Sequence, residues 1–143
     1  MDIFSKLITA FISAIILSLI LSYMNYTPLP QQQEGIGYWS FSGLLQVYLL
    51  YSLPVFLFGG VTFSMFVDFI YNKLSIANQI INYLLKLVCY ATGGLVIMGV
   101  LVLPGNSIAS LEPVPYLILG IISALLFLHV NIGTEKVLEK IVN

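Results

Sequence analysis

The chain has 143 residues, 59% of them hydrophobic and only 8% charged, with a net charge of -1 and no arginine. Soluble domains carry roughly 25% charged residues, so this composition, with a mean hydropathy of +1.03, excludes an ordinary water-soluble fold and points to an integral membrane protein. The low count of cations excludes a nucleic-acid surface, which needs clustered Lys and Arg. One cysteine, Cys89, allows no intramolecular disulfide, no CxxC pair and no four-ligand metal set.

Taken in order, the apolar runs predict an all-α, four-helix membrane bundle forming a single domain over 1–143. The first span is expected at about 7–24. Its apolar run exceeds the roughly 7 to 15 residues of a signal-peptide core, and no small-x-small site precedes Pro28, so it reads as a retained span. Within it Ala10, Ala14, Ser18 and Ser22 recur every fourth residue, lining one helix face with small side chains that let another backbone approach. Pro28 and Pro30 then break the helix, and 27–40 reads as a polar loop ending on Tyr38 and Trp39. Asn25, Tyr26 and Thr27 match the glycosylation acceptor pattern, a short motif of frequent chance occurrence placed against the membrane.

The second span is expected at 41–67, about 40 Å of helix at 1.5 Å per residue against a hydrocarbon core of about 30 Å. Such a helix must tilt, kink or protrude. Pro54, at its centre, has no amide proton for the carbonyl of Leu50, so it is a candidate kink or hinge, and Tyr48, Tyr51 and Ser52 lie within one turn of the freed carbonyl. Gly60 and Ser64 form a second small-residue pair. A polar turn over 68–82 follows, with Ser75 as the expected N-cap. One-sided polarity through Asn78, Gln79, Asn82 and Lys86 predicts a surface-lying stretch before the third span, expected at 84–103. There Gly93 and Gly94 favour close helix contact. Pro104 and Gly105 open a loop over 104–115, the fourth span is expected at 116–132 with Gly120 and Ala124 four apart, and 133–143 reads as a short surface helix.

Charge sets the expected orientation. Lys6, Lys73, Lys86, Lys136 and Lys140 all fall on one side and the two opposite loops hold no cation, so the positive-inside rule places both termini and the 68–82 turn in the cytoplasm. Tyr and Trp residues near both expected interfaces agree.

Ionisable groups at mid-depth mark ion-coupled or catalytic membrane proteins, and none falls at the centre of a predicted span. Asp68, Lys73, Lys86 and His129 are candidates for a polar cluster on the inner face, one of them a candidate proton sensor; interfacial anchoring explains the same residues. Cys89 has no partner base for covalent catalysis. The chain is therefore expected to be no enzyme and to carry no cofactor or metal.

Small multidrug-resistance transporters share the size and span number, but they place a glutamate inside the first span, where this chain has none between Leu7 and Met24. In its lysine-flanked spans, proline-bounded outer loops and Asp-to-Lys inner turn, the chain resembles small uncharacterised four-span membrane proteins of bacilli. That resemblance implies a bacterial plasma membrane and no particular activity. Two functions are expected of such a chain. One is an accessory or regulatory subunit contacting another membrane protein or a second copy of itself within the lipid bilayer. The other is an oligomeric transporter or channel component in which Pro54 gates the second span.

Overall fold

The computed structural model describes residues 3–74, 78–102 and 114–142. Every regular element among the described residues is helical: α1 (Ile3–Asn25), a single 3-10 turn (Leu29–Gln31), α2 (Phe41–Pro54), a π-helical segment (Val55–Gly60), α3 (Val61–Leu74), α4 (Gln79–Val102) and α5 (Val114–Val142). Four stretches are long and apolar enough to cross a membrane: Ile3–Asn25, Phe41–Tyr71, Gln79–Val102 and Val114–Ile141. The start of α1, the end of α3, the start of α4 and the end of α5 share one end of the molecule, which holds all five lysines; we call it the lysine end.

The helices run further than hydropathy alone predicts, and each extension has a local cause. The α1 helix begins at Ile3 rather than Leu7, because Lys6 is buried instead of lying in an interface. Ser40 caps α2, its Oγ accepting the Gly43 amide proton at 3.1 Å, which satisfies one of the orphan donors of a helix start. Asn78 does the same for α4, accepting from Ile80 at 3.0 Å and Ile81 at 3.5 Å. That cap sets the α4 entry at Gln79, so Asn82 and Lys86 belong to the same continuous helix as the third apolar run. The expected cap at Ser75 and the loop residues Pro104, Gly105 and Glu112 lie outside the described residues. The tail is likewise no separate helix: α5 continues without a break from Val114 through Lys140.

The second span does not simply kink at Pro54. The chain passes from α2 through one widened turn into α3, with the Val61 amide reaching back five residues to the Phe56 carbonyl. A π segment absorbs the missing proline donor by inserting an extra residue per turn, which shifts the register of everything beyond it. Ser52 does not serve the Leu50 carbonyl. Its Oγ lies 2.9 Å from Ser18 Oγ and 3.4 Å from the Ala14 carbonyl, tying α2 to α1.

Packing follows the small residues. Ala10, Ala14, Ser18 and Ser22 are fully buried, and α1 lies along α2 on one side and α5 on the other. The closest approach joins α4 to α5. A Cβ added at Gly94 would run into the Gly120 carbonyl and come within 2.7 Å of Ala124 Cβ, and one added at Gly120 would meet the Gly94 carbonyl at 2.6 Å. Gly93 and Gly60 accept rings instead: a Cβ at Gly93 would overlap Phe63, and one at Gly60 would lie 3.0 Å from Phe127. Such backbone proximity adds dispersion contacts between helices, the kind of contact that joins helices when their surroundings are themselves apolar.

Candidate functional site

Two features of opposite chemistry sit in series along the bundle axis. At the lysine end, α1 turns a polar face inward: Ser5, Lys6, Thr9 and Ser13 are all buried. Lys6 keeps only 3% of its side chain exposed and pairs with Asp68, itself 15% exposed. The same ammonium donates to Ser64 Oγ at 2.6 Å, one helical turn before Asp68 on α3. Since i and i+4 share a helix face, Ser64 and Asp68 form a two-point acceptor for the Lys6 ammonium. Beside them Thr9 donates to the Ser5 carbonyl at 2.9 Å and lies 3.4 Å from Asn131 Oδ1, while Asn131 donates to Glu135 at 2.7 Å. One cation, two carboxylates, a hydroxyl pair and an amide thus converge from α1, α3 and α5.

This is a different polar cluster from the one the sequence predicts. Of Asp68, Lys73, Lys86 and His129, only Asp68 joins it. Lys73 sits over the Phe69 ring, 4.4 Å from its centroid, and Lys86 over Tyr71 at 5.6 Å, each cation facing an aromatic quadrupole. His129 is exposed, with Nε2 3.0 Å from the Tyr83 hydroxyl and Nδ1 2.7 Å from the Leu125 carbonyl. The four share no hydrogen bond or ion pair with one another. Lys6, in contrast, reads in the sequence as a flanking anchor; its one signal is that it stands on the buried small-residue face, four residues before Ala10. Ser64 reads as a packing partner of Gly60 and is a ligand of Lys6 instead.

Next along the axis lies a floor of four rings. Phe56 stacks on Phe127 with centroids 5.9 Å apart, Phe127 on Tyr90 at 6.4 Å, and Tyr90 meets Phe63 edge-on at 5.6 Å. These rings also line a cavity of about 280 Å³ to which every helix contributes, including Leu17 and Leu21 of α1, Ser52 and Val55 beside Pro54, Ile97 and Met98 of α4, and Ser123 of α5. The π segment forms one wall, since Val55, Phe56 and Gly60 all face it. No side chain of the lining carries a formal charge, and its two serines are already engaged: Ser52 with Ser18, and Ser123 with the Leu119 carbonyl at 2.6 Å. The second span and α4, which both line the cavity, are packed far more sparsely on one another than α4 is on α5.

The ion pair joins the first and second apolar stretches, and the cavity wall is apolar apart from serine and tyrosine hydroxyls. No group of three or more His, Cys, Asp or Glu among the described residues is arranged to hold a metal ion. Cys89 lies 3.9 Å from the Tyr71 hydroxyl, a packing contact of a weak donor. Comparison with protein-family models, curated proteins and solved structures finds no match to this chain.

Proposed function

We propose that the chain is a multi-pass protein of a bacterial plasma membrane, with both termini in the cytoplasm, and that it serves as an accessory or regulatory subunit acting through contact with another membrane protein or a second copy of itself. The observation that carries this reading is the clamp made by Lys6, Ser64 and Asp68. A transporter that alternates its access must move one group of helices against another. Here the first two spans are tied twice, by the buried ion pair at one end and by the Ser18 and Ser52 hydroxyls further along, which favours a rigid presenting surface over a rocking one. The four helices of suitable length and apolarity support the membrane location, and the five lysines at one end support the orientation.

The second reading, an oligomeric transporter or channel component, draws on one observation: the π segment after Pro54 lines the cavity. Purification from native membranes in mild detergent separates the two. A second membrane protein, or a second copy, retained at fixed stoichiometry through two chromatographic steps is the result expected of a subunit. Proton or solute flux through liposomes holding the pure chain alone would overturn that reading in favour of the transporter.

A further inference from the structure

We infer that the cavity beside the π segment is a binding site for one acyl chain of a membrane phospholipid, admitted sideways between the second span and α4. The wall chemistry selects the occupant. A water molecule needs two to four polar partners, and apolar cavities of about 150 Å³ stay dry and take up apolar molecules instead; this one measures about 280 Å³ and its serine hydroxyls are already used. No charged side chain is there to answer an ionised headgroup, the polar lining being the hydroxyls of Ser52, Ser123, Tyr48, Tyr51 and Tyr90, so only hydrocarbon enters and the headgroup stays outside. Size excludes a protein occupant, because a helix with its side chains is about 10 Å across and would need several times this space.

The depth of the lining names the source. Tyr48 and Tyr51 border the cavity within three turns of the α2 start, away from the lysine end, and Tyr51 is 70% exposed. Both rings lie before Pro54, in the half of the second span further from the lysine end. A chain from the leaflet opposite the lysine end would therefore enter past Tyr51 and end against the ring of Phe127. The aromatic floor separates it from the Lys6 and Asp68 pair. This inference rests on the membrane location proposed above but not on any partner.

The test uses the full chain in vesicles of phosphatidylethanolamine and phosphatidylglycerol containing a trace of phosphatidylglycerol with a diazirine at the end of one acyl chain. After an alkaline carbonate wash and irradiation, labelled peptides are mapped. Expected are adducts on the cavity walls at Ile97, Met98 and Phe56, falling at least tenfold in Val55→Trp and in Ile97→Trp, which fill the space from opposite sides. Phe58→Trp, on the same π segment but 77% exposed, should label as the wild type does. Adducts confined to outward residues such as Phe58 and Val96 in the wild-type map would overturn the inference, and this arm needs no variant to fold. So would cavity labelling by a diazirine fatty acid but not by the phospholipid, which would make the ligand a free acid. Loss of the chain in the carbonate wash would overturn the membrane location itself, and the inference with it.

Discussion

At Lys6 a charge that an isolated membrane helix would send out to the interface is turned into the bundle, where Ser64 and Asp68 receive it. Removing one partner of a buried pair leaves the other charge without compensation, at a cost of about 3–5 kcal/mol, whereas replacing both by apolar groups is often neutral. Lys6→Met is therefore expected to lower the thermal midpoint in detergent sharply, and Lys6→Met combined with Asp68→Leu to recover most of the loss. A double variant no more stable than Lys6→Met alone would show that the unpaired carboxylate is not the source of the cost. A smaller contrast tests the serines of the same helix. Ser13 Oγ is buried without a hydrogen-bond partner among the described residues, while Ser18 Oγ bonds across to Ser52. Since an unsatisfied buried polar group costs more than a made bond gains, Ser13→Ala should be neutral or stabilising, and Ser18→Ala destabilising by about 1 kcal/mol. Equal losses in the two variants would count against this assignment of partners.

Among the elements, the second span shows what hydropathy reaches and what it does not. Four long apolar runs with small residues every fourth position were enough to find the helices and the faces on which they meet, because burial among helices and lipid leaves a strong compositional trace. The pairing of Lys6 with Asp68 was not legible, since 62 residues separate them and helical periodicity carries no information on the register between helices. The π segment was hidden for a related reason: Pro54 announces a missing donor but not how the chain absorbs it. That register is now testable. With Pro54→Ala the Leu50 carbonyl regains its donor, and an isolated helix would relax to α geometry, rotating α3 by about 100° for the residue removed from the turn. Such a rotation would carry Ser64 and Asp68 away from Lys6. Because the Ser18 and Ser52 hydroxyls hold the chain before the segment and the ion pair holds it after, Pro54→Ala is expected to fold with the π register kept and to change stability by no more than a few kcal/mol. A double-mutant cycle reads this directly: Lys6→Met should cost the same with Ala at 54 as with Pro. If it becomes harmless there, the proline alone imposed the register.

At the scale of the whole molecule, the two strongest asymmetries point the same way. All five lysines gather at one end, and α4 and α5 are joined by close approach at Gly94, Gly120 and Ala124, so that these two helices orient as one unit. Gly94→Leu should accordingly lower stability far more than Val96→Leu, an exposed position of the same helix, and the two thermal midpoints check the crossing. Orientation is a separate matter. Translocating a loop rich in Lys against the membrane potential is opposed, whereas 27–40 holds no cation and would meet no such barrier. In a Cys89→Ser background, a cysteine at Gln32 should react with a membrane-impermeant maleimide added to intact cells, and one at Asn78, the cap of α4 beside the lysine end, should react only after the cells are opened. Because the cap side chain at 78 also starts a helix, the same label at Gln79, which is exposed, guards against a local disturbance. Reaction at either 78 or 79 from outside intact cells would turn the molecule over, and would place the mouth of the acyl-chain cavity in the opposite leaflet from the one the positive-inside rule assigns.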